Sequence, residues 1–129
     1  MTTPQPKILS IDDNQMLNIM RQKVLAVNGF ACDVAYAAEN ALSMLTACHY
    51  DAVLLDYYLP GTTGLQVADK IKSLRPELPI VLVTGEELHE HSDAVHSYLI
   101  KGDGPEKLIA TLKSLVTSKS AKVRRAVAS

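Results

Sequence analysis

Ala52-Val53-Leu54-Leu55-Asp56, continued by Tyr57-Tyr58-Leu59-Pro60-Gly61, is the stretch on which the reading of this chain turns. Four apolar residues in a row, without alternation, suit a strand covered on both faces, as strands of a parallel sheet are. The run ends on an acid, and a Pro-Gly turn signal follows. The same arrangement stands earlier, where Ile8-Leu9-Ser10-Ile11 runs into Asp12-Asp13. An acid at the end of a buried strand loses hydration, and that cost calls for a partner.

Working outward from these two runs, candidate strands fall at Lys7–Ile11, Phe30–Tyr36, Asp51–Asp56, Pro79–Thr84 and Ser97–Lys101. Helical periodicity fills most of the gaps. Leu17, Met20, Val24 and Leu25 form one stripe, closed by Asn28-Gly29. Ala41, Leu42, Leu45 and Cys48 form a second, and Val67, Ala68, Ile71 and Leu74 a third that Pro76 stops. Leu108, Leu112, Leu115 and Val116 form the last, with Pro105 at its start, where a missing N–H costs little. Glu86–Val95 reads as a short polar helix or a loop. Strands alternating with helices give an α/β sandwich with right-handed crossovers.

The 129 residues suit one domain with a substantial core. A hydrophobic share of 47% and a charged share of 21% are those of an ordinary globular protein. A net charge of −1 offers no global field for nucleic acid or an anionic membrane, so neither is an expected partner. The opening residues lack the apolar core of a signal peptide, and no apolar run approaches the roughly 18 residues that span a bilayer. Cys32 and Cys48 read as two buried reduced thiols, in keeping with a cytoplasmic protein. Residues 1–6 read as a tail and 7–118 as the domain. The basic stretch 119–129 is a frayed tail or a prolongation of the last helix. If helical, it keeps an apolar stripe through Val116, Val123 and Val127 for a partner or a second copy.

In open α/β sheets ligands sit beyond the carboxyl ends of the strands. There this sequence places Asp12 and Asp13, Asp56, Thr84 and Lys101. Singly, each has a plain explanation: a helix cap, a turn, a solvated strand end. Together at one edge they form a site. Three neighbouring carboxylates repel one another unless a cation intervenes, and oxygen ligands favour Mg²⁺ first and Ca²⁺ second. The Asp-Asp-Asn-Gln loop is no glycine-rich phosphate cradle, which argues against a nucleotide or flavin there. With the metal, the site could hold a phosphoryl group between the ion, Lys101 and the Thr84 hydroxyl, with Asp56 attacking phosphorus in line.

The motifs Ile-Asp-Asp at 11–13, Leu-Leu-Asp-Tyr-Tyr-Leu-Pro-Gly at 54–61, Val-Thr-Gly at 83–85 and Tyr-Leu-Ile-Lys at 98–101 strongly resemble a response-regulator receiver domain. The resemblance covers about residues 7–118. It implies a doubly wound, flavodoxin-like five-stranded parallel sheet of order 2-1-3-4-5 flanked by helices. It also implies Asp56 as the phosphoacceptor, and Mg²⁺ held by Asp12, Asp13, Asp56 and the Tyr58 carbonyl. Thr84 and Lys101 become phosphoryl-binding residues, and Thr84 with Tyr98 the switch pair. Tyr58 and Glu86 fall where the family tunes phosphoryl lifetime.

Two departures stand out. Gly102 follows Lys101 where the family usually has a proline after a cis bond, and a cis bond before a non-proline residue costs about 2.5–4 kcal/mol. The span between Thr84 and Lys101 is also short, so the fourth helix is shortened, replaced or missing. His89, His91 and His96 in that span match no strong metal motif and read as solvated.

The leading expectation is a phospho-accepting signalling protein, not a turnover enzyme. It takes its phosphoryl group from a histidine kinase or histidine phosphotransfer protein, and acts on a downstream protein or passes the group along a relay. It is expected either to stand alone or to be a piece of a hybrid kinase, with homodimerisation a further option. A second reading is an interaction module that works without phosphorylation. A third is an aspartyl-phosphate hydrolase of the haloacid-dehalogenase type, which lacks its second acid here because Tyr58 holds that position.

Overall fold

A computed structural model of the chain describes residues 5–88 and 90–128. The strands are β1 (Lys7–Ile11), β2 (Ala31–Ala35), β3 (Ala52–Asp56), β4 (Tyr58–Leu59), β5 (Thr62–Thr63), β6 (Ile80–Thr84) and β7 (Ser97–Ile100). The helices are α1 (Gln15–Val27), α2 (Ala38–Ala47), α3 (Gly64–Leu74) and α4 (Pro105–Ala128). The main sheet is wholly parallel, in the order β2-β1-β3-β6-β7. With the small hairpin set aside, this is the 2-1-3-4-5 order expected.

The continuous apolar runs are explained by what lies on either side of them. Leu9, Ile11, Val53, Leu55, Ile80 and Leu82 face one cluster with Ala41 and Leu45 of α2 and Val67, Ala68 and Ile71 of α3. Ile8, Ala52, Leu54, Val81 and Val83 face the other, with Leu25 of α1 and Ile109 and Leu112 of α4. Successive strand residues point to opposite faces, so burial on both requires an apolar residue at each position.

Three details depart from the sequence reading. The inward face of α1 is Asn18, Arg21 and Leu25, while Met20 is 58% exposed. The helix is rotated by about one residue from the stripe that its apolar residues mark. Cys48 is exposed and Cys32 only half-buried, so the thiols are reduced but not core residues. His96 is exposed, as expected, but it is also tied to the sheet: its backbone N–H donates to the Ile80 carbonyl, and its Nδ1 accepts from the Ile80 N–H. His91 is exposed, its ring edge-on to Tyr98, and His89 lies outside the described residues.

Between β6 and β7 no helix occurs among the described residues. The segment is tied instead by Ser92, whose Oγ donates to Asp69 of α3 and whose N–H donates to the Tyr98 hydroxyl. The Lys72 ammonium also donates to the Asp93 carbonyl. At the other end, α4 continues as a helix through Ala128.

The turn after β3 was not anticipated as a hairpin. Tyr58 pairs with Thr63 and Leu59 with Thr62, around Pro60 and Gly61, and Gly61 has φ +72°. Gly64 then begins α3 with its N–H donating to the Tyr57 carbonyl at 2.6 Å. A Cβ at Gly64 would lie 2.5 Å from the Asp56 carbonyl oxygen and 2.6 Å from Leu82 Cδ1. The loop carrying Asp56 is therefore pressed against α3 with no room for a side chain. Gly64→Ala is expected to destabilise the fold by about 3 kcal/mol in urea titrations, as overpacking of a tight core does, and a loss below about 1 kcal/mol would contradict this close approach.

Candidate functional site

The carboxyl edge of the sheet gathers most of the residues singled out from the sequence. β1 delivers Asp12, fully buried, and Asp13, exposed. β3 ends on Asp56, 3% exposed. The three carboxylates each offer an oxygen, and these lie within 4.8 Å of one another. Lys101, after β7, brings its Nζ to 3.2 Å from Asp56 Oδ1 and 3.8 Å from Asp12 Oδ2. Asp12, Asp13, Asn14, Asp56, Tyr58, Leu59, Pro60 and Lys101 together line an open polar cleft.

Local structure holds each of these groups. Asn14 caps α1, its side chain accepting from the Leu17 N–H, and its own N–H donates to Asp12 Oδ1. No peptide bond among the described residues is cis. After Lys101 the chain makes a single 3-10 turn, Lys101–Asp103, and Asp103 Oδ2 accepts from the Ile100 N–H and from Lys107. This turn aims Lys101 at the acids with glycine in the place of the usual proline. Tyr58 is 60% exposed, with its ring edge-on to Tyr57 at 4.7 Å.

Thr84 stands apart from that group. It is buried at the end of β6, next to β3 in the sheet, but its hydroxyl donates to the Glu86 carbonyl and accepts from the Glu86 N–H. Tyr98 lines a neighbouring hollow with Thr84, Leu88 and His91. Its hydroxyl accepts from the Ser92 N–H at 2.8 Å and donates to the Ser92 carbonyl at 3.3 Å. The Glu86 side chain is exposed.

Two residues at this edge escaped the sequence reading. Arg21 reaches from α1 to place Nη1 3.1 Å from Asp12 Oδ2, with its side chain 10% exposed. Asn18, one turn earlier, donates to the carbonyls of Asp12 and Ala35 and accepts from the Ser10 hydroxyl. Their signal was present: polar residues at 18 and 21 share the helical face of buried Leu25, so they need a partner indoors.

The surroundings of Asp56 disfavour its charged form. Burial, and then the charge of Asp12, hold the Asp56 carboxyl above its usual range, with Lys101 and Arg21 offsetting part of the shift. An all-oxygen donor set of three converging acids fits a hard divalent cation. For a carboxyl whose folded pKa is raised, the charged form costs stability. That cost is absent below the unfolded value, near pH 4, and grows as pH rises through the folded pKa. In EDTA, Asp56→Asn is therefore expected to denature at higher urea than the parent at pH 7.5, with the gain disappearing by about pH 4. A gain that persists at low pH, or a loss at pH 7.5, would contradict that cost.

Comparison with known proteins places this arrangement. The family profile for the response regulator receiver domain matches residues 8–113. The response regulator MprA of Mycobacterium avium is 28% identical over 115 residues, which cover 85% of this chain and 50% of that protein. The transcriptional regulatory protein ResD of Bacillus subtilis is 28% identical over 119 residues, 88% of this chain and 49% of its own length. The chain thus spans about half the length of these curated relatives. The crystal structure of the response regulator TrrA from Thermotoga maritima, in complex with Mg(2+)-BeF, matches with a TM-score of 0.79 and 31% identity, over 85% of this chain and 98% of that one. A CheY-like receiver domain from Methanospirillum hungatei matches in fold with a TM-score of 0.86 at 23% identity, over 92% and 98% of the two chains.

Proposed function

The chain belongs to the response regulator receiver domain family, and on that premise we propose that it accepts a phosphoryl group on Asp56. The observation that carries the proposal is the buried Asp56 carboxylate, in one cluster with Asp12 and Asp13 and 3.2 Å from Lys101. Asp12, Asp13, Asp56 and the Tyr58 carbonyl are the groups that would hold Mg²⁺, and the Mg²⁺-bound relative TrrA supports that choice of ion. When bound, the ion supplies positive charge against the phosphoryl oxygens.

The donor is a phosphohistidine of a kinase or phosphotransfer protein. An Asp56 oxygen attacks phosphorus, the P–N bond breaks, and the imidazole leaves with a proton. Positioning and charge neutralisation account for nearly all of the help such a transfer needs. Lys101 meets the transferred group with its ammonium. The Thr84 hydroxyl reaches it only by leaving the Glu86 backbone, and Tyr98 turns only by releasing Ser92. These two local breaks would be the switch that carries phosphorylation to the surface for a downstream protein or a further relay. The chemistry ends on the protein's own aspartate, so the chain is not a turnover enzyme. We assign residues 7–118 to the receiver, with flanks 1–6 and 119–129, and a cytoplasmic location. No helix among the described residues is long and apolar enough to cross a membrane.

The test is incubation with Mg²⁺ and acetyl phosphate, followed by intact mass. A single phosphoryl adduct is expected, absent in Asp56→Asn and in EDTA. No adduct from this donor or a cognate kinase would favour the non-phosphorylated interaction module, to which the absence of a helix among the described residues between β6 and β7 lends its one argument. Sustained release of inorganic phosphate would revive the hydrolase. Tyr58 stands exposed at the mouth of the cleft, two residues from Asp56, and screens the acyl phosphate from water. Tyr58→Ala is expected to shorten the adduct's half-life severalfold, and an unchanged or longer half-life would reject that role.

A further inference from the structure

Arg21 is an expensive residue to place where it is. Its neighbours on the inward face of α1 are Asn18 and Leu25, and the residue as a whole is 9% exposed. An apolar side chain at such a position commonly gives a fold as stable as a buried ion pair does, so stability alone does not account for a guanidinium. Its Nη1 meets Asp12 Oδ2 at 3.1 Å, and the Asp12 side chain is 1% exposed. Lys101 is the other cation at the cluster, but it is 37% exposed and sits 3.8 Å from the same oxygen. A half-exposed lysine on a flexible stem can give way to an incoming ion. A buried guanidinium, planar and always charged, cannot.

We propose that Arg21 is a built-in counter-cation that competes with the divalent ion for Asp12 and thereby sets the Mg²⁺ affinity of the acid cluster. The inference rests on the reading that Asp12, Asp13 and Asp56 hold Mg²⁺. Without the ion, Arg21 holds the Asp12 carboxylate in place through its 3.1 Å contact. With the ion, two positive charges share one carboxylate, and their repulsion weakens binding. The two statements are one thermodynamic cycle. Removing the arginine costs the metal-free form more than the loaded form, and binding tightens by the difference. Arg21 touches no reacting atom and is a positioning residue.

Calorimetric titration of Mg²⁺ into the full chain, paired with thermal denaturation in EDTA and in saturating Mg²⁺, tests it. Arg21→Met is expected to bind Mg²⁺ about tenfold more tightly than the parent, from the charge removed beside a shared ligand. Its melting temperature should fall further in EDTA than in Mg²⁺. Arg21→Lys, which retains the charge, should bind much as the parent does. If Arg21→Met does not fold in EDTA, Arg21→Gln carries the same titration with N–H donors kept and charge lost. Unchanged or weaker Mg²⁺ binding on loss of charge, or equal melting losses in both buffers, overturns the proposal: an ordinary structural ion pair behaves that way. Absence of Mg²⁺ binding by the parent overturns the ion reading itself, a separate and recognisable failure.

Discussion

Asp12 carries a carboxylate into a fully buried position at the end of β1, where an unpaired charge would cost several kcal/mol. The chain surrounds it with donors from three directions. Asn14 gives its backbone N–H to one oxygen, Arg21 meets the other, and Lys101 stands behind. Asn18 extends the set by clasping the Asp12 carbonyl together with that of Ala35, which fastens α1 across the ends of β1 and β2. The first helix is thus held by polar contacts at its inner face as well as by Leu25. The same contacts fix the direction in which the acid looks.

The other half of the site depends on a close approach. Gly64 lets α3 come against the backbone of Asp56 and Tyr57, and the two-residue turn at Pro60-Gly61 returns the chain in time to start that helix. Asp56 therefore leaves β3 in a fixed direction, toward Asp12 and Lys101. The three strands that supply these groups are neighbours or near-neighbours in the sheet, so residues far apart in sequence share one edge.

Much of this was legible because the signals were strong and local. Continuous apolar runs announce strands buried on both faces, and the expected boundaries of the five main-sheet strands fall within a residue of the observed ones at every end. The acids announced themselves by standing where acids are costly. What escaped notice depends on tertiary approach. Arg21 looks like a surface residue until the rotation of α1 is known, because apolar Met20 faces outward and misleads the stripe. The hairpin at 58–63 is too short for periodicity to register. The histidines of the segment before β7 look alike in sequence. His91 and His96 are both exposed, and the pairing with the Ile80 backbone is what distinguishes His96.

Among the described residues a strapped segment rather than a helix joins β6 to β7, and this also redistributes stability. A helix there would carry its own ladder of hydrogen bonds and an apolar face, and would melt with the sheet. The segment here is fastened to α3 and β7 through Ser92, Asp69, Lys72 and Tyr98. Polar ties of this kind can open locally, whereas Ala94 and Val95, buried in the core cluster, anchor the end of the segment nearest β7. Amide exchange in this region would be governed by sub-global openings, while the amides of β1 and β3 wait for the whole domain. The same tyrosine and the backbone beside Thr84 border that segment, so a local opening there would loosen both contacts before the sheet itself is disturbed.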